Sequence, residues 1–245
     1  MRRASCFVFL LLIAFKVEAF AQGLPAFTSA PAAGGGQTYS LSVQALLAFA
    51  ALAFLPAILL MMTSFTRIVI VLSLLRHALG TQSSPPNQVI VGLSLFLTLF
   101  IMQPVWDGIQ KDALAPYQAN QITSQQAIDR ASAHIRTFML QQARPKDVEL
   151  FAQMAKLQPT TPDQLPLRVV IPGFIISELR TAFQMGFLIF VPFILIDLVV
   201  ATVLMSMGMM MMPPTTFSLP LKLLLFVLVD GWSLVVTSLV HSYGM

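Results

Sequence analysis

The stretch ELRTAFQMGFLIFVPFILIDLVVATVLMSMGMMMM, residues 178–212, decides the fold. Between Phe183 and Val203 its only formally charged residue is Asp197, so the run is long enough for a hydrocarbon layer that needs about 20 apolar residues. It opens with an acid and a base, Glu178 and Arg180, carries a carboxylate within its apolar part, and ends in Met209, Met210, Met211 and Met212 before Pro213-Pro214. A plain anchor helix needs none of these three features. The stretch therefore reads as a working part of a membrane assembly.

Composition supports that reading. Of 245 residues, 57% are hydrophobic and only 10% charged, against roughly 25% charged in an ordinary soluble domain. The mean hydropathy is +0.81. The net charge of +4 is small and arises partly in the first 21 residues, and the absence of any basic run or stripe argues against a nucleic-acid partner. The sole cysteine, Cys6, falls in the same leader, which leaves the mature chain no disulfide and no thiolate metal site.

Working outward, residues 1–21 have a basic start, an apolar run over 6–15 and Ala19-Phe20-Ala21, the pattern of a cleavable signal peptide. Residues 22–42, rich in Ala, Pro and Gly, read as a flexible tether. Residues 43–106 hold two apolar runs, 43–62 and 89–106, and read as a first hydrophobic helical hairpin, with a kink expected at Pro56. Arg67 interrupts this part; a guanidinium facing lipid costs at least about 2.5 kcal/mol, so Arg67 needs a partner or marks a membrane edge. Gly80, Pro85-Pro86 and Asn87 supply a helix stop, a rigid turn and a cap.

Residues 107–172 are polar and read as a small helical insert outside the bilayer. Thr123 and Gln126 have capping-box spacing, after which Ala127, Ile128, Ala131, Ile135, Phe138 and Met139 recur on one face. A second short helix is expected over 146–157, and Pro159, Pro162, Pro166 and Pro172 predict an extended link after it. Residues 173–245 form a second hydrophobic hairpin around the methionine run, with Ser218 as a candidate cap and breaks at Lys222 and Asp230-Gly231-Trp232. The fold class is thus an all-α membrane protein with about four hydrophobic helices and a small helical extracytoplasmic insert. If each run crosses, residues 67–76 and Lys222 face the cytoplasm and the insert faces outward.

Few residues invite chemistry. Asp197 and Asp230 stand among apolar neighbours with Lys222 close by, and the first reading is that such charges pair within or between subunits; a proton relay is the sharper alternative. His77, His134 and His241 are too scattered to form a ligand set. The methionines suggest either a soft Cu(I) site or a compliant apolar gasket. Four in succession point all round a helix, so one metal cannot take them all, and a loop at a pore mouth suits them better. Glu178 and Arg180, two residues apart, do not share a helix face and engage different neighbours. No nucleophile elbow, phosphate loop, dinucleotide glycine pattern or His/Glu metal spacing occurs, so the sequence points to neither an enzyme nor a cofactor.

Four stretches carry a family resemblance: SFTRIVIVLSLLRHALGTQSSPPNQVIVGL (64–93), FLTLFIMQPV (96–105), SELRTAFQMGFLIFVPFILIDLVVATVLMSMGMMMMPP (177–214) and SLPLKLLLFVLVDGW (218–232). The chain resembles the FliP family of flagellar type III export-gate proteins, related to the SctR subunits of virulence-type systems; Gly173 and Met212 stand where that family leads one to expect alanine and leucine. The resemblance implies long bent helical hairpins in a homo-oligomer, joined by FliQ and FliR, and served by FlhA and FlhB, at the basal body in the bacterial inner membrane. It implies a channel for unfolded flagellar proteins, with the methionine loop as its seal and Phe187 and Phe190 as candidate lumen residues. It implies also that Glu178 and Arg180 join neighbouring subunits.

Overall fold

The computed structural model describes residues 27–31 and 37–41, and residues 49–244 apart from 51, 52, 55, 59, 82, 158–160, 162, 163, 210 and 211. The leader lies outside the described residues, and the 43–62 run around Pro56 is described only in part. The chain divides into two units, Met1–Ile58 and Leu59–Met245. In the first, β1 (Phe27–Pro31) pairs antiparallel with β2 (Gln37–Leu41), Phe27 opposite Leu41 and Pro31 opposite Gln37. This strand pair stands where the sequence suggested a loose tether: two five-residue segments can satisfy each other's backbone.

Among its described residues the second unit is helical. In chain order it contains α1 (Phe65–Ala78), α2 (Asn87–Ile101), α3 (Gln103–Ile109), a π-helical turn (Gln110–Leu114), α4 (Ala115–Gln118), α5 (Ser124–Gln142), α6 (Pro145–Met154), α7 (Leu167–Ser206), α8 (Thr215–Leu228) and α9 (Gly231–His241). Gly80, at φ +80, ends α1 by donating its N–H to the carbonyl of His77. Thr123 and Gln126 form the reciprocal capping box at the start of α5, and buried Phe138 and Met139 anchor that helix, whereas Ile128 stays 61% exposed. Two sequence expectations are corrected. Pro172 lies inside α7, because the helix reaches back to Leu167 and packs on α6, which outweighs the backbone bond that the proline removes. Ser218 is buried within α8 instead of capping it, since Pro214 already occupies the cap and Pro213 and Pro214 accept the first backbone bonds.

The 40-residue α7 is the axis on which α1, α5, α6 and α8 all pack. At about 1.5 Å per residue it runs roughly 60 Å, near twice a hydrocarbon layer of about 30 Å. It is the one described single helix long and apolar enough to cross a membrane. Two bent pairs would each count as a span if taken whole: α2 with α3, the π-turn and α4, bent by 54°, and α8 with α9, bent by 64°. The main core joins Ile68, Val71 and Leu72 of α1, Val170 and Phe174 of α7, Phe138 and Met139 of α5, and Leu239 and Tyr243. A smaller cluster of Leu75, Ala78, Leu79, Phe193 and Phe226 lies further along α7. Of the apolar 18-residue window that makes α7 a candidate span, only 17% is buried.

Candidate functional site

The sequence places several charges on these helices, and the structure gathers them into three ion pairs along α7. The first centres on Arg67. Hydrophobic neighbours bury this face of α1, so the guanidinium, 2% exposed, must find every partner inside the protein. It meets Glu178 of α7, itself fully buried, in a fork: Nε donates to Oε2 at 2.9 Å and Nη2 donates to Oε1. Its Nη1 donates to the carbonyl and hydroxyl oxygens of Ser242, at 3.1 and 2.9 Å. The guanidinium carbon Cζ lies 3.9 Å from the ring centre of Tyr243, and the Tyr243 hydroxyl donates to Glu178 Oε2 at 2.7 Å. Burial first, and then the neighbouring carboxylate, push the Tyr243 phenol well above its ordinary pKa, so it remains a donor. A buried pair of charges survives when the remaining lone pairs and protons are also satisfied, as they are here.

Within this chain the Glu178 carboxylate is fully buried and closes an internal cluster with Arg67 and Tyr243. Sequence reasoning found that Arg67 needed a partner but missed Ser242 and Tyr243, which lie 175 residues and more away and carry no local periodic signal.

The second set fastens the insert. Glu178 and Arg180 do take different partners: Arg180 Nη1 lies 3.3 Å from Asp147 Oδ1 of α6, with Asp147 buried and Arg180 half exposed. Ser177 donates to Asp147 Oδ2 at 2.9 Å and accepts the N–H of Arg144 at 2.9 Å. Gly173 permits this close seating, because a Cβ there would stand 3.0 Å from Val148 Cα. The glycine that departs from the expected family residue thus faces the backbone of α6.

The third set ties α7 to α8. Lys222 Nζ donates to Asp197 Oδ2 at 2.6 Å and to the carbonyl of Ala78 at 3.3 Å, so one buried ammonium joins α8, α7 and the last turn of α1. A cation at a helix C-terminus also suits the partial negative charge there. Asp230 does not join in. It is exposed at the corner between α8 and α9, in the left-handed region at φ 49, and forms no ion pair among the described residues. The corner exists because Gly231 abuts the Phe226 ring, where a Cβ would stand 2.2 Å from a ring carbon.

Beyond Asp197, α7 ends at Ser206, and Met209 lies outside any helix. Met205, Met207, Met209 and Met212 are all exposed, and Met210 and Met211 lie outside the described residues. Of the two candidate lumen residues, Phe187 projects freely at 66% exposure, whereas Phe190 turns toward the Leu75, Phe193 and Phe226 cluster.

A bundle of this kind, with a membrane-length apolar helix, sharply bent apolar pairs and polar clusters sealed inside it, defines a helical membrane protein. The chain belongs to the FliP family, which it matches over residues 48–239. It is 54% identical over 221 residues to the flagellar biosynthetic protein FliP of Pectobacterium carotovorum subsp. carotovorum, covering 90% of this chain and 86% of that one. It is 53% identical over 208 residues to the flagellar biosynthetic protein FliP of Bacillus subtilis, covering 84% and 94%. For the protein of the same name from Aquifex aeolicus the figures are 50% over 205 residues, 82% and 86%.

Proposed function

We propose that this chain is a core subunit of the flagellar type III protein export gate, a conduit and not an enzyme. Several copies assemble with FliQ and FliR family subunits in the bacterial inner membrane at the flagellar basal body, with the insert on the periplasmic side. FlhA and FlhB supply the neighbouring machinery, and unfolded flagellar proteins pass through the centre. The methionines at 209–212 form the seal. Family membership supports the setting, since the relatives are named flagellar biosynthetic proteins.

The observation that carries the seal is that α7 stops at Ser206, ahead of the methionine run and Pro213-Pro214, with Met209 and Met212 each 42% exposed. A channel that stays ion-tight yet admits chains of many sequences needs a compliant apolar constriction. Rigid packing would select one side-chain shape, and a polar lining would leak. Unbranched thioethers meet both demands.

Replacing Met209, Met210 and Met211 together with alanine is expected to leave the complex assembled while making the membrane leak ions. A complex of normal size that stays as tight as wild type would reject the seal. The competing readings, a methionine-rich copper transporter and a proton-conducting channel, predict respectively bound copper in the purified protein and loss of function on Asp197→Asn.

A further inference from the structure

We infer that the cleft between the end of α1 and the start of α8 is a phosphate-binding site, and that the phosphate is that of a phospholipid headgroup. The cleft has a volume of about 530 Å³, and its polar lining comes from His77, Thr81, Thr215, Thr216, Ser218 and Lys222. Each of these side chains can donate a hydrogen bond, and no carboxylate lines the cleft. This assignment goes beyond the export reading and does not depend on it.

Two buried groups call for a ligand. Ser218 is 1% exposed, yet its hydroxyl makes no hydrogen bond among the described residues. A buried hydroxyl in that position has given up water without a replacement, which costs free energy until something else pairs with it. The Lys222 ammonium, also buried, carries three protons. One goes to Asp197 Oδ2 and one to the carbonyl of Ala78. The third is free for an acceptor in the cleft that Lys222 lines.

The backbone adds to this. α8 begins at Thr215, whose N–H has no acceptor among the described residues, whereas the N–H groups of Thr216, Phe217 and Ser218 bond to Pro213 and Pro214. The first turn of a helix carries partial positive charge, and here it also holds the exposed hydroxyls of Thr215 and Thr216. Hydroxyls, an ammonium and a helix start suit an anion with several acceptor oxygens, which is what a phosphate group offers. The surroundings favour a lipid over the free ion: Phe217, Leu221 and Leu224 stand exposed on α8 itself and give acyl chains an apolar surface beside the headgroup. Because Asp197 already holds Lys222, the phosphate binds in competition with that carboxylate.

The test uses the complex purified with its partner subunits in a neutral maltoside detergent. Thermal shift and native mass spectrometry measure binding of dihexanoylphosphatidylglycerol, of inorganic phosphate, and of dihexanoylglycerol, which shares the chains and lacks the phosphate. The wild-type complex is expected to bind the phosphatidylglycerol saturably and to ignore dihexanoylglycerol. Ser218→Ala combined with Thr215→Ala and Thr216→Ala should weaken that binding about ten-fold or more at unchanged complex size, given the usual strength of hydrogen bonds to a charged group. Asp197→Asn should tighten it, because the ammonium is released from a competing anion; unchanged binding there overturns the part given to Lys222. Inorganic phosphate that binds as tightly as the lipid, and is lost in the same triple variant, keeps the phosphate site but overturns its assignment to a lipid. Equal binding of dihexanoylglycerol, undiminished lipid binding by the triple variant, or no binding of either phosphate compound overturns the site. Should the triple variant change complex size, Thr215→Ala with Thr216→Ala, whose side chains are exposed, decides the matter by the same criteria.

Discussion

The hydroxyl of Tyr243 donates to Glu178 Oε2 at 2.7 Å while its ring lies beneath the Arg67 guanidinium, so one side chain completes the ion pair from two directions. Tyr243 follows α9, Glu178 sits on α7 and Arg67 on α1. The cluster therefore joins three helices that are remote in sequence, and it does so in the part of α7 that also carries the insert. Past Gly186, α7 is held chiefly by the Asp197 and Lys222 tie and the small aromatic cluster. The same helix is thus firmly fastened at its start and sparsely fastened toward its end at Ser206.

Tyr243→Phe removes the hydroxyl but keeps the ring under Arg67. Losing one hydrogen bond to a buried carboxylate is expected to cost about 1–3 kcal/mol, and Tyr243→Ala more because the cation–π contact goes too. Thermal unfolding of the detergent-solubilised protein measures the order, wild type above Phe above Ala. The raised phenol pKa adds a pH signature. Folding favours the protonated phenol, so its contribution is complete below pH about 10 and fades as pH climbs through the raised folded value. Tyr243→Phe should flatten that alkaline loss, and an unchanged alkaline profile would show that Tyr243 does not contribute to it.

Arg67→Met or Glu178→Met alone strands a buried charge, and each is expected to destabilise the protomer by about 3 kcal/mol or more. The double replacement should recover much of the loss, since it removes both charges together. A double-mutant cycle read by thermal unfolding tests this. Additive losses, or a Glu178→Met variant that folds normally and fails only to oligomerise, would contradict the internal role assigned to Glu178.

What the sequence made legible follows the range of each signal. Apolar runs, the Gly80 stop and the Thr123 to Gln126 capping box depend on residues a few positions apart, and the helices appear where those patterns point. The need of Arg67 for a partner was readable from the cost of burying a guanidinium. The identity of that partner was not, because packing across more than a hundred residues chooses it. Pro172 misled for a related reason: proline is a local signal against helix, and contact with α6 overrides it. Asp230 looked like a buried charge only because its neighbours are apolar, whereas the corner at Gly231 turns it outward.

Gly186 of α7 packs closely against Leu74 of α1. A Cβ there would stand 2.2 Å from Leu74 Cδ1 and 3.2 Å from its Cβ, so the leucine must move or the helices must part. Overpacking of this kind typically costs about 1–3 kcal/mol. Gly186→Val is expected to lower the unfolding temperature and weaken assembly, and Leu74→Ala added to it should restore part of both. Absence of any rescue would mean that the glycine serves some purpose other than space.

Lys222 and Asp197 separate a structural tie from a proton relay. The ammonium is buried and also bonds Ala78, whereas the carboxylate remains 38% exposed, so the two partners are not equally dependent on each other. Asp197→Asn keeps an oxygen that can accept from Nζ and loses only the charge. Lys222→Met removes both bonds and frees α8 from the end of α1. A structural tie therefore predicts that Lys222→Met impairs assembly and motility more than Asp197→Asn does, with Asp197→Asn retaining measurable export. A relay predicts the reverse, because an amide cannot carry a proton however well it is held. Swarm diameter and secreted flagellin, compared between strains with equal amounts of assembled complex, distinguish the two; near-complete loss of export in Asp197→Asn with normal assembly would remove the tie as the sufficient account.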